Sequence, residues 1–280
     1  MAATALRRED ILTALEAIGQ QADEAIDLGE AALLLAAFDT PDNDLAHYRR
    51  HLALLAADLD DAVPGGSDAI EERAAALQKV IAGQHGYEGD RKTYDDLANA
   101  NLMRVIDRKR GLPVAIGILY LHTARALGWR AAGINFPGHF LIAVEDDVER
   151  IILDPFDGGA QVDEARLRQM LQAALGVDAE LREEYYSSMT NRGVLLRLQN
   201  NIKKRTREAG DPDHAARIVE GMLAIAPEIS DLWREAAELR AETGNLRSAL
   251  NALDRFLLLS DDTQRSAALD LRRHLVTRIN

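Results

Sequence analysis

The 280-residue sequence contains no cysteine. That absence excludes disulfides, thiolate metal sites and cysteine nucleophiles together. Long apolar runs are missing as well. The longest, such as Ala31 to Phe38, fall well short of the ~20 residues a membrane-spanning helix needs. The first ten residues mix Arg7, Arg8, Glu9 and Asp10 with small side chains, and no stretch there makes a signal-peptide core. The expected setting is therefore cytoplasmic, with no membrane partner. Basic residues are in deficit, 33 Lys and Arg against 46 Asp and Glu, for a net charge of −13. Nucleic acid is not an expected partner, because binding a phosphate backbone needs clustered cations. Residues 1–100 carry 8 basic and 20 acidic side chains, a net of −12, so the acidic surface is local. One basic patch, Arg104 with Arg108, Lys109 and Arg110, reads as a solvated helix end or a hold for an acidic partner.

A 47% hydrophobic content is enough for a sizeable core, and the length suits two domains or one domain with an appended array. From Arg8 to Gln84 apolar residues recur three or four apart, giving expected helices around Ile11–Ile18, Ile26–Phe38, Tyr48–Leu59 and Ile70–Ile81. The breaks at Thr40–Asn43 and Val63–Ser67 are turn chemistry, with Ser67 or Asp68 able to cap the next helix. A further helix is expected over Asp95–Arg110, ended by Gly111. Pro113 then suits the first turn of a helix running to about Leu127. After Gly128 the pattern turns β-like: Arg130–Phe136, His139–Val144 and Glu149–Leu153. Beyond Gly193 a 34-residue self-match emerges. It pairs Gly210 with Gly244, Ala215 with Ala249, Val219 with Leu253, Met222 with Phe256 and Ile225 with Leu259. That period fits tetratricopeptide units, with Gln264–Ile279 as a capping helix. The expected class is α+β, mostly helical. The expected divisions are a helical N-terminal region (1–85), an α+β core with a small antiparallel sheet (86–190) and helical repeats (191–280).

The chemistry rests on a hairpin. With Asp146 and Asp147 as its turn, antiparallel partners have numbers summing to 293, which sets Leu141 opposite Ile152 and His139 opposite Asp154. Opposed Cβ atoms lie roughly 4.5–5.5 Å apart, so the carboxylate can accept an imidazole N–H. Two readings follow. The pair either hydrogen-bonds at the edge of a core, with Phe140, Ile142, Ile151 and Leu153 on the opposite face, or orients an imidazole for a task.

The run Gly133-Ile134-Asn135-Phe136-Pro137-Gly138-His139-Phe140-Leu141, followed by Ile152-Leu153-Asp154-Pro155-Phe156, resembles the histidine and aspartate strands of transglutaminase-like, papain-type domains. Tyr120–Leu127 with Gly128-Trp129-Arg130 is similar to the helix and turn that precede them. The chain as a whole resembles the bacterial SirB-type branch, which joins a helical N-terminal domain, a transglutaminase-like core and a tetratricopeptide tail. Gly86-Tyr87-Glu88-Gly89, Tyr94-Asp95-Asp96, Asn99, Asn101-Leu102 and Arg108 to Pro113 agree too.

In catalytically competent relatives, the resemblance implies, a cysteine sits at the start of the central helix, where the helix terminus and an imidazolium generate a thiolate. The matching place here is Pro113 to Ala115, where no nucleophile stands. His139 and Asp154 then form a relic dyad. Asn135, His122 and Tyr94 are candidate binding residues around it, with packing as the alternative for His122. No ligand spacing such as H-E-x-x-H occurs, and neither a metal nor a cofactor is expected. The leading expectation is a pseudoenzyme, a regulatory or scaffold protein that holds a protein or peptide through its repeats. The alternative is a hydrolase in which His139 is a general base toward an amide or ester without a cysteine.

Overall fold

A computed structural model describes residues 7–40, 44–63 and 69–279. The turns expected at 41–43 and 64–67, and the cap from Ser67 or Asp68, lie outside them. Contacts divide the chain into two compact units: residues 22–198, and residues 7–21 with 199–279. The helical region expected over 1–85 is thus shared between units, because its first helix, α1 (Arg8–Gly19), packs on a helix of the repeats.

The first unit is built on two helices that are apolar all round, the pattern of elements enclosed on every side. In α2 (Leu28–Asp39) Leu28 and Ala31 to Phe38 are buried, and Asp27 caps the start by accepting from the Gly29 and Glu30 amides at 2.9 and 3.1 Å. Around it lie α3 (Leu45–Ala62) and α4 (Ile70–Gln78), the latter running into a π-helical turn at Lys79–Gln84. A short β1 (Glu88–Gly89) follows. The helix expected over Asp95–Arg110 is broken: a 3-10 turn at Leu97–Asn99 precedes a shorter α5 (Leu102–Arg108). The reason is Asn101, whose side chain accepts from the Arg104 amide at 3.2 Å and restarts the helix as a cap. Lys109 then takes a left-handed conformation, φ 59°, and β2 (Arg110–Gly111) pairs in parallel with β1. Pro113 opens α6 (Pro113–Ala126), the second enclosed helix.

Four antiparallel strands follow in the order of the chain: β3 (Arg130–Ile134), β4 (Leu141–Glu145), β5 (Arg150–Asp154) and β6 (Ala160–Gln161). Leu141 and Ala143 face a cluster with Phe136 and with Leu167 and Leu171 of α7 (Glu164–Leu175). Phe140 and Ile142 reach the other way, onto Gly117 of α6. The register corrects the sequence expectation. Ile142 pairs with Leu153 and Ala143 with Ile152, so partner numbers sum to 295 and not 293. The cause is the side chain of Asp146, which accepts from the Val148 and Glu149 amides at 2.7 Å each and moves the turn one residue along. A slip of two keeps every side chain on its expected face.

From α8 (Asn191–Glu208) onward the chain is helical: α9 (Pro212–Ile225), α10 (Ser230–Glu242), α11 (Leu246–Leu259) and α12 (Asp262–Ile279). Gly210 and Gly244, the matched glycines, both sit at positive φ, 73° and 80°, where they end α8 and α10. Ala215, Val219 and Met222 are buried, as are Ala249, Leu253 and Phe256. Leu259 is exposed, so the last pair of the sequence match does not extend into the core. In this second unit α1 buries Ile11, Leu15 and Ile18, and Gly19 approaches so closely that a Cβ there would stand 2.2 Å from the Ala224 carbonyl oxygen.

Candidate functional site

Pro137 and Gly138, the latter at φ 70°, turn the chain so that the His139 amide donates to the Phe136 carbonyl at 3.0 Å. This sets the imidazole at the mouth of β4. Asp154 ends β5, and Pro155 after it suits the first position of a 3-10 turn. Its Oδ1 accepts from the Phe156 and Asp157 amides at 2.9 and 3.4 Å, which fixes the carboxylate from its own side of the hairpin. His139 Nε2 lies 2.8 Å from the same Oδ1. In the observed register Leu141 would stand opposite Asp154, so the two side chains meet on the diagonal rather than face to face. With Nε2 committed to the carboxylate, Nδ1 is the nitrogen left for a ligand or a proton. The imidazole retains 19% exposure and the carboxylate 11%, enough for contact with a bound group. Behind them Arg197 donates to the His139 carbonyl at 2.6 Å, with its guanidinium over the Phe140 ring.

Aromatic rings form the wall. Phe156 stands edge-on to His139 with centroids 6.1 Å apart, and Tyr94 stands edge-on to Phe156 at 5.8 Å. Arg91 lies over the Phe156 ring at 5.1 Å and pairs with Asp157 at 2.7 Å. Tyr94, 42% exposed, is carried by a loop with a polar core. Buried Asp90 accepts from the Lys92 and Thr93 amides, the Thr93 hydroxyl and Arg108 at 2.6–3.0 Å, and Asn99 donates to the Thr93 carbonyl at 2.6 Å. The Thr93 hydroxyl and amide hold the Asp90 carboxyl far below its ordinary value. The basic patch read from sequence is accounted for here: Arg108 serves this loop and Arg110 pairs with Glu88 at 2.7 Å.

Of the expected binding residues, Tyr94 joins the dyad through Phe156, whereas Asn135 is exposed and has no hydrogen bond to either dyad member among the described residues. His122 belongs to a different set. Five positions beyond Gly117 on α6, it is turned about 140° from the face that meets Phe140. Its Nδ1 lies 3.2 Å from Asp27, in a cavity of about 750 Å³ bounded by Arg125, Trp129 and Asn191. The imidazole in turn lowers the Asp27 carboxyl, which also receives two backbone N–H groups. The sequence analysis gives no site role to Phe156 or Arg91. Phe156 was detectable as the residue next but one after Asp154; Arg91 had no comparable signal.

At the place a nucleophile would occupy, Pro113, Val114 and Ala115 are all buried, and α6 contacts the 155–157 turn. The Phe140 ring fills the space over Gly117, where a Cβ would come within 2.5 Å of it. Tyr120, two turns along, is fully buried with a hydroxyl that lacks a hydrogen-bond partner among the described residues. Burial, and then the Asp154 carboxylate, push its ionisation well above the ordinary tyrosine value. Among the described residues no group of three or more His, Asp or Glu side chains is arranged to hold a metal. No described helix is long and apolar enough to cross a membrane. The second unit has its own cavity, of about 640 Å³, between Leu12 and Glu16 of α1 and Trp233, Arg240 and Arg255 of the repeats.

This arrangement agrees with known families. The profile of the transglutaminase-like superfamily matches residues 46–200, and that of the tetratricopeptide repeat matches 202–274. A UPF0162 protein of Xylella fastidiosa is 28% identical over 91% of this chain and 90% of its own length. One from Vibrio cholerae is 31% identical over 73% and 76%. A shorter likeness, 35% over 29% of this chain and 13% of the relative, links it to F-box only protein 21 of Mus musculus. The chain belongs to the UPF0162, or SirB-type, family of transglutaminase-like proteins with C-terminal tetratricopeptide repeats.

Proposed function

We propose that this protein is a non-catalytic, cytoplasmic binding protein: a transglutaminase-like pseudoenzyme that recognises a protein or peptide. The observation that carries the reading is the pairing of a bonded His139–Asp154 dyad with a helix start, Pro113-Val114-Ala115, that is apolar and buried. Acyl transfer through a covalent intermediate needs an attacking atom, and a triad stripped of it retains only orientation and proton transfer. What the dyad can still do is receive a polar group on Nδ1 beside the Phe156 and Tyr94 rings, a setting suited to a peptide side chain or carboxylate. The repeat unit supplies the second means of holding a peptide, a cleft lined by Arg240 with the Arg255 guanidinium over the Trp233 ring.

Peptide display against the full chain tests this. Selected peptides are expected to bind saturably and to lose at least tenfold in affinity to the Arg240→Glu, Arg255→Glu double variant. Absence of saturable binding to any peptide overturns the proposal. The rival reading, His139 as a general base toward an ester or amide, is favoured by the uncommitted Nδ1. Turnover of an ester panel that disappears in His139→Ala would establish it in place of the first.

A further inference from the structure

A second group of titratable side chains surrounds Tyr87, apart from the dyad. His51 Nε2 of α3 is 2.6 Å from the Tyr87 hydroxyl, and Lys109 Nζ is 3.0 Å from that hydroxyl and 3.2 Å from the imidazole nitrogen. The ammonium also lies 4.4 Å from the centre of the Tyr87 ring. His85 stands edge-on to His51 at 5.6 Å, with its Nε2 2.6 Å from Asp58. Lys109 is in no ion pair among the described residues: the groups nearest its ammonium are a phenol and an imidazole, while the Asp107 carboxylate, which accepts from Tyr48 at 3.2 Å, acts on it without direct contact. Lys203, by contrast, reaches Glu235 at 2.5 Å.

Two backbone features mark the same place. Among the described residues Lys109 is the one non-glycine side chain at positive φ, a conformation that costs about 1 kcal/mol or more and that glycine or asparagine would relieve. The only π-helical turn among them, Lys79–Gln84, delivers His85 and Tyr87 to the cluster, the His85 amide donating to the Val80 carbonyl and the Tyr87 amide to the Ile81 carbonyl. Burial lowers the Lys109 ammonium from its ordinary value, opposed by Asp107. Burial, with Lys109, His85 and His47 against Asp58, brings His51 down to about 4, so the imidazole is neutral at pH 7 and passes a proton on rather than holding it, while burial raises the Tyr87 hydroxyl.

We propose that Lys109 is a nucleophilic amine that forms an imine with a small aldehyde or ketone, with Tyr87 and His51 relaying its protons. The neutral amine adds to the carbonyl carbon, forming the C–N bond while the carbonyl π pair moves to oxygen. That oxygen takes the Tyr87 proton, and the nitrogen proton passes through the phenol to His51. The hydroxyl then departs as water with the proton returned from His51 as the nitrogen lone pair closes the C=N bond, and the iminium gives its remaining N–H proton back to the Tyr87 phenolate. One amine and one carbonyl give one imine and one water, with no change of oxidation state.

The chain has five lysines, Lys79, Lys92, Lys109, Lys203 and Lys204, so every site can be followed. The full-length protein, treated with propanal and cyanoborohydride from pH 6 to 9, is mapped by mass spectrometry after cleavage at glutamate. Lys109 is expected to be alkylated at least tenfold faster at pH 7 than exposed Lys79 and Lys92, its rate levelling at lower pH than theirs. His51→Gln is expected to bring that rate down to theirs. Alkylation of Lys109 no faster than Lys79 and Lys92 in the wild-type protein overturns the proposal, whatever the variant does.

Discussion

His139 and Asp154 meet diagonally across the β4–β5 ladder, Nε2 to Oδ1 at 2.8 Å, with the carboxylate oxygen already shared by two backbone amides. The aspartate is thus a local cap first and the partner of histidine second. Asp154→Ala is expected to cost about 2 kcal/mol, because it leaves the Phe156 and Asp157 amides without an acceptor. His139→Ala removes a single partner and is expected to cost about 1 kcal/mol. Urea denaturation of both variants checks the order; a larger loss for His139→Ala would reverse this account.

Tyr120 carries a hydroxyl sealed in the core without a hydrogen-bond partner among the described residues. Tyr120→Phe removes that unsatisfied group, and stability is expected to hold or rise by up to about 1 kcal/mol. A drop of that size in the urea midpoint would mean that the hydroxyl is bonded in solution.

The loop bearing Tyr94 is tied to acid conditions through Asp90. Its folded carboxyl lies below the ordinary 3.8, so ionisation favours the native state. That contribution is complete above about pH 4 and is lost as pH falls toward the folded value. Proteolysis at residues 91–96 is expected to accelerate below pH 4. In Asp90→Ala it is expected to be fast already at pH 7, since the Lys92 and Thr93 amides and the Thr93 hydroxyl lose their acceptor.

Leu15 is fully buried in the second unit although it lies far from the repeats in sequence. Leu15→Ala is expected to destabilise that unit by about 3 kcal/mol. Thermal unfolding followed by hydrogen exchange would register lost protection in residues 212–225. Unchanged protection there would show that α1 is dispensable.

Much of this was legible from the residues. Positions 133–156 identify both strands and the dyad, and Pro113 and Gly128 bracket the central helix, because local turn chemistry fixes those ends. The hairpin register was not. A register summed from Asp146-Asp147 ignores the Asp146 side chain, which bonds two amides and shifts the turn. The break before α5 escaped for a similar reason: the periodicity around Val105 is helical throughout, and the Asn101 cap overrides it. His122 shares the central helix with the presumed site, but its angular position on that helix points it to Asp27. The placement of α1 depends on packing across some two hundred residues, for which a single sequence carries no period.

That placement has a consequence for how the protein is made. The surface that Ile11, Leu15 and Ile18 cover belongs to residues 212–225, so α1 leaves the ribosome some two hundred residues ahead of the helix it packs on. Residues 22–198 can close on themselves in the meantime, and the repeat unit is completed only once residues 212–225 have followed.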